Sequence, residues 1–197
     1  MKYLAAIACA SLFACNGPDD TGPAGGGALS AAETARLVFT REEEKLARDT
    51  YAALAASGQE FVNIGASEQR HFDAIGGLLT SYQVADPAAG RAAGSFADPT
   101  LQALYDALVA QGQPGRAAAL GVGCTVEDLD LRDLDRALAE TDHADIAQVY
   151  SELARGSRNH LRSFYGQITA AGGAYTPQYI DQATFDAIVT SPHETGP

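Results

Sequence analysis

Cysteine is scarce, with three in 197 residues. Cys9 and Cys15 fall within the first fifteen positions, so Cys124 stands alone in the rest of the chain and no disulfide framework exists. A thiolate set for a structural zinc site is missing too. Cys124 reads as a small core residue. β-Branched residues are few beside the many alanines and leucines, which favours helix. No stretch has the pattern of a strand, and no internal repeat stands out. Basic residues number 13 against 25 acidic ones, for a formal charge of −12. That balance excludes a general nucleic-acid binder, whose affinity comes from Lys and Arg on phosphates. It suits a solvated surface that also attracts cations. The apolar run near the N-terminus is too short to span a bilayer. The length fits one domain with a sizeable core, and not two comfortable ones.

The first fifteen residues, MKYLAAIACASLFAC, place one lysine before a short apolar run and read as a targeting segment. A small residue before a cysteine, at the end of such a run, resembles a bacterial lipoprotein signal. The resemblance implies that residues 1–14 are removed and that Cys15 becomes the lipidated N-terminus. Cys9 is the alternative anchor, and an ordinary cleaved signal peptide is the plain alternative. Asn16 after the anchor is compatible with the outer membrane of a double-membraned cell. The expectation is a periplasm-facing envelope protein that touches the membrane only through its lipid. Residues 15–29, rich in Gly, Pro and Asp, read as a flexible tether.

The folded domain is expected over residues 30–190, with 191–197 as a tail. Ser30 and Glu33 make a capping box ahead of a helix over about 31–56. Ser57-Gly58 ends it, and a second helix follows over about 60–82. A loop covers 83–97. Asp98-Pro99 caps a short helix over about 99–111. A third long helix spans about 115–140, with Gly121 and Gly123 as weak points. A fourth spans about 143–171 and ends at Gly172-Gly173, and Asp181 caps a last helix over 182–190. The class is all-α.

Each long helix has an apolar stripe at i, i+3, i+4 and i+7, and each stripe is interrupted by a metal-ligand type of residue. Glu44 interrupts the first, Glu68 and His71 the second, Glu127 the third and His160 the fourth. Asp130 sits three residues after Glu127. Glu43 shares a face with Phe39 and Leu46, so the choice between Glu43 and Glu44 stays open. Arg155, Arg158 and Arg162 lie on roughly the opposite face from His160. Depth can be read from the turns. Glu44 and Glu68 have their midpoint at residue 56, beside Ser57-Gly58; Glu127 and His160 have theirs at 143.5, beside Thr141-Asp142. Two hairpins with level polar groups make a four-helix bundle with a metal site in its core. Unpaired buried carboxylates cost several kcal/mol each, and a divalent cation is the simplest counter-charge. Mixed carboxylate and imidazole donors suit iron, manganese or zinc. Tyr51 and Tyr82 flank the cluster and read as packing residues.

The motif Glu44-x-x-Ala47-x-x-x-Tyr51, with Glu68-x-x-His71 and Glu127-x-x-Asp130, resembles the ferritin-like superfamily, and rubrerythrins most. EEEKLARDTY, NIGASEQRH, ALGVGCTVEDLDLRDL, VYSELARGSRNHLRSF and AYTPQYI together resemble an uncharacterised prokaryotic family of ferritin-like domains, over about residues 31–190. The resemblance implies a ferritin-like bundle with a crossover connection and short accessory helices. It implies no settled activity. The level ring of Glu44, Glu68, His71, Glu127 and His160 leads to the expectation of one or two iron or manganese ions and of a di-metal oxidoreductase that oxidises ferrous iron or removes peroxide. The superfamily's second Glu-x-x-His ends here at His160, but Ser157 stands at its glutamate position. Asp130 is the candidate replacement; without it the site is expected to be lopsided. The competing expectation is a non-catalytic envelope module with a partial or lost metal site. Homodimerisation stays open.

Overall fold

A computed structural model describes residues 27–196. The targeting segment, Cys15 and most of the tether lie outside the described residues. The helices are α1 (Ala31–Ala53), α2 (Gln59–Ser81), α3 (Pro99–Gly112), α4 (Arg116–Glu140), α5 (Ala144–Ala170) and α6 (Gln182–Thr190), with a 3-10 turn at Ala55–Ser57. No strand occurs among the described residues. No described helix is long and apolar enough to cross a membrane.

The ends follow the chemistry of their caps. Glu33 N–H donates to Ser30 Oγ at 3.1 Å, and Ser30 N–H donates to Glu33 Oε2 at 3.0 Å. Asp98 accepts from Thr100 N–H at 2.7 Å ahead of α3, and Asp181 accepts from Thr184 N–H at 3.0 Å ahead of α6. Contacts begin before the first cap: His143 Nε2 lies 2.8 Å from Gly27 O, and Leu29 packs on the core.

Glu33 ties the start of α1 to the turn between α4 and α5. It accepts from Thr141 Oγ1 at 3.0 Å and lies 2.7 Å from His143 Nδ1. The Ser30 N–H, with help from His143, holds the Glu33 carboxyl down at about 2, against an ordinary 4.5. The Gly27 carbonyl and Glu33 raise the His143 pKa above 6.5. A depressed acid stabilises above its unfolded pKa and loses that contribution as pH falls through the folded one. A raised base stabilises below its unfolded pKa and loses that as pH climbs. The expected outcome is that Glu33→Gln costs most melting temperature between pH 4.5 and 6.5. The gap to the parent closes as pH falls toward 2 and narrows above 6.5. Thermal melts by circular dichroism across that range check it.

The long helices α1, α2, α5 and α4 pack in a ring, with the closest association within the two short-linked pairs α1–α2 and α4–α5. Chain 82–115, carrying α3, joins the pairs. Leu37, Ile75, Leu134 and Ile146 fill the core toward the α4–α5 turn. Tyr51, Phe61 and Phe164 form an aromatic cluster below, with ring centroids 5.1–6.1 Å apart. Gly123 does not interrupt α4. A Cβ there would lie 2.7 Å from the Phe164 ring, so the glycine admits that ring against the helix backbone.

The outer face of α1 is buried as well. Arg41 pairs with Asp86 at 2.8 Å and lies over the Phe72 ring. Glu42 accepts from the N–H groups of Ala97 and Asp98 at 2.5 and 2.8 Å. Lys45 pairs with Asp49 at 2.5 Å and donates to Ala92 O, and Asp49 accepts from Gly94 N–H at 2.8 Å. The loop before α3 therefore crosses α1 and finds its backbone partners among that helix's charges.

AYTPQYI is held by one carboxylate. Asp128 on α4 is fully buried and accepts from the backbone N–H groups of Gln178, Tyr179 and Ile180 at 2.5, 3.1 and 2.8 Å, and from Tyr175 Oη at 2.9 Å. The segment is thereby led to α6, which seats Phe185 and Ile188 against α5.

Candidate metal centre

Five side chains from the four long helices meet at mid-height. Glu44 comes from α1, Glu68 and His71 from α2, Glu127 from α4 and His160 from α5. Their donor atoms divide into two sets that share Glu68. In one, His71 Nδ1 lies 2.8 Å from Glu68 Oε2 and 3.5 Å from Glu44 Oε2. In the other, His160 Nδ1 lies 2.7 Å from Glu68 Oε1 and 3.5 Å from Glu127 Oε2. The two imidazoles stack at 5.6 Å between centroids. Glu44, Glu68 and Glu127 are at most 2% exposed.

The close approaches are not hydrogen bonds. Glu44 Oε1, Glu68 Oε1, His71 Nδ1 and His160 Nδ1 are all buried and find no partner of acceptable geometry. Buried polar atoms are almost always paired, so four orphans in one cluster call for an explanation. Within each set, donor atoms lie within 4.8 Å of one another. Ligands about 2.1 Å from a common ion have that spacing, and carboxylate with imidazole is a donor set for iron, manganese or zinc. The residues thus fit a divalent metal at each of two positions.

Electrostatics describe the cluster without metal. Burial pushes Glu44 up to about 7, although the neighbouring His71 pulls the other way. Burial also disfavours charge on Glu68, but His160 and His71 overcome it and lower its pKa. Burial disfavours the imidazolium of His71, yet Glu68 and Glu44 hold its pKa at about 11. His160 is held at about 10 against the same cost, by Glu68 and Glu127. A metal taking these nitrogens displaces protons.

The other sequence candidates lie beside the two sets. Glu43, on the neighbouring face of α1, is buried near Asp133 and Asp130, and burial followed by Asp133 raises its pKa well above normal. Glu44, not Glu43, joins the converging donors. Asp130 Oδ2 accepts from Ser157 Oγ at 2.5 Å and belongs to neither set. Ser157 removes one carboxylate, and the donors that remain divide evenly. Each set has one glutamate of its own, one histidine and one oxygen of Glu68.

Residues 33–192 match the family described as an uncharacterized protein domain, DUF2202. The chain belongs to that family. It is 43% identical over 170 residues to uncharacterized protein MJ0754 of Methanocaldococcus jannaschii, covering 85% of this chain and 92% of that protein. The crystal structure of hypothetical protein MJ0754 from Methanococcus jannaschii DSM 2661 superposes with a TM-score of 0.83 at 42% identity, over 86% of this chain and 98% of that one. The two share an all-helical fold.

Three features of this DUF2202 domain escape a reading of stripes. Tyr51 packs in the aromatic cluster, but its hydroxyl also donates to Glu127 Oε1, which leaves Oε2 toward His160. A stripe shows that Tyr51 faces inward and not that it has a partner. Tyr82 donates to Asp145 at 2.8 Å, at the end of the bundle by His143. Gly156 lets α5 pass close to His71: a Cβ there would lie 2.6 Å from that ring.

Proposed function

We propose that this chain is a ferritin-like metalloprotein of the cell envelope, binding iron or manganese in its core and using it for redox chemistry. Ferrous-iron oxidation and peroxide removal are the reactions in view. The observation that carries the reading is Glu68, whose two oxygens each approach a different histidine while both histidine Nδ1 atoms lack hydrogen bonds. Two helical hairpins joined by a long connection, with core carboxylates and histidines level, support the ferritin-like assignment. The envelope location rests on the signal-like N-terminus and Cys15.

Bound iron would supply electron transfer to oxygen or peroxide. The chain supplies the rest. Glu44 and Glu127 would each help to hold one ion, and Glu68 would contribute to both sets of donors. The Tyr51 hydroxyl fixes the rotation of Glu127. Glu44, Glu68 and Glu127 are buried within the bundle core.

A second reading has its own support. Without metal, the carboxylates hold both histidines charged, so the cluster balances much of its own charge. It describes a non-catalytic envelope module. Residues 16–197 loaded with ferrous iron or manganese, freed of excess and counted by mass spectrometry, separate the two. The metal reading expects about two ions per chain, and about one in either His71→Ala or His160→Ala. A parent chain that stays metal-free after loading overturns it. Turnover of ferrous iron or peroxide by the loaded protein overturns the module.

A further inference from the structure

A cavity of about 460 Å3 lies between α2, α5 and the C-terminal tail. His71 and His160 line it beside Gly156, so it abuts the candidate metal centre. Its outer wall is the tail. Glu194 pairs with Arg158 at 2.5 Å and with Arg162 at 2.7 Å, and its backbone exchanges two hydrogen bonds with the Asn159 side chain, each 2.9 Å. A pocket walled by these four contacts is a built feature of the fold, and its volume is that of a small-molecule site.

The charge on its rim runs against the rest of the molecule. Acidic residues outnumber basic ones nearly two to one, so cations should all find carboxylates. Among the described residues, only Arg70, Arg91 and Arg155 form no ion pair. Arg91 donates to the carbonyls of Pro87 and Phe96. Arg70 and Arg155 both line this cavity. Among the described residues Arg155 finds no hydrogen-bond partner, and a Cβ on the tail's Gly196 would come 3.0 Å from its Nη2, so the tail passes beside the guanidinium. The carboxylates lining the cavity are Glu152, which is exposed, and Glu194, already taken by Arg158 and Arg162.

We propose that this cavity binds a small oxyanion, a carboxylate or a phosphate, between Arg70 and Arg155 beside the metal centre. Arg70 gives one N–H to the Ala66 carbonyl at 3.1 Å and has no carboxylate partner; guanidinium groups without a carboxylate partner are the chemistry that recognises such anions, through paired charge-assisted hydrogen bonds. The volume exceeds what oxygen or peroxide needs, and the class of substrate it suits is a small organic or inorganic anion. The proposal rests on the metal-centre reading for its purpose; the binding itself needs no metal.

The test is calorimetric titration of metal-free residues 16–197 with inorganic phosphate and, separately, with succinate. At least one is expected to saturate below about 10 mM, and Arg70→Gln/Arg155→Gln is expected to weaken it about tenfold or more. Added salt weakens it further. Both arginines are off the core, so the double variant should keep its fold and its metal content when loaded. A response to phosphate alone, or to succinate alone, names the anion. No saturation with either, or equal binding by the double variant, overturns the proposal. Because the titration uses metal-free protein, failure to load metal leaves its result intact.

Discussion

Glu68→Ala is expected to abolish metal loading at both positions, whereas Glu44→Ala and Glu127→Ala each leave about one ion per chain. The asymmetry follows from one side chain. Glu68 Oε2 sits 2.8 Å from His71 Nδ1 and Glu68 Oε1 sits 2.7 Å from His160 Nδ1, so each oxygen belongs to a different set of donors. Glu44 and Glu127 each belong to one. The terminal glutamates are separable and the shared one is not. Ser157 sharpens the expectation, because no carboxylate stands at that position and Asp130 is bonded to the serine instead. The metal-free variant also loses the carboxylate that most strongly favours both imidazolium ions. A broken buried pair costs about 3–5 kcal/mol, so circular dichroism must show the variant folded before its metal is counted. Two ions retained in folded Glu68→Ala would remove the shared-ligand reading, and Glu68→Gln, with its volume kept, separates charge from packing.

The site was legible in the sequence because a polar ligand type inside an apolar stripe is costly, and five of them at matched depth are unlikely neighbours by chance. Stripe and turn positions locate Glu68, His71, Glu127 and His160, and a glutamate at 43 or 44, before any coordinate is known. They cannot separate Glu43 from Glu44, because both faces of α1 are buried: Glu44 faces the donors and Glu43 faces Asp133. The reason lies outside the helix. Arg41, Glu42, Lys45 and Asp49 are covered by irregular chain that presents backbone N–H and C=O groups, and no hydrophobic period announces such a cover. A charged run over one helical face looks solvated whether water or backbone satisfies it. Gly123 and Gly156 are a similar case. Propensity counts them as weak points, while the fold uses them to bring the Phe164 and His71 rings against helix backbone. The anchor expected at Cys15 lies outside the described residues, so the envelope location stays a proposal.

The largest loss of stability is expected from Asp128→Ala. Its carboxylate accepts from three consecutive backbone N–H groups and one tyrosine hydroxyl, and it is 0% exposed. Alanine would leave those donors without their acceptor, and segment 174–180 is irregular and has no helical partners of its own for them. Unmade hydrogen bonds of this kind cost about 1–3 kcal/mol each, and relaxation of the segment toward water recovers part of that, leaving about 3–5 kcal/mol. For a domain of this size the melting temperature should fall by about 10 °C or more. Asp128→Asn keeps one acceptor oxygen and should lose about half as much. The damage should begin locally. Once the segment lifts, α6 loses the tether that seats Phe185 and Ile188, and the tail that Glu194 pins to α5 loses its lead-in. Amide exchange should therefore rise first over 174–196 and only later in the four long helices. If melting shifts by less than about 2 °C, the carboxylate is not what holds this segment. If exchange rises uniformly, the segment is part of the bundle's cooperative unit, and the wall of the oxyanion cavity is as rigid as the helices that carry the metal ligands.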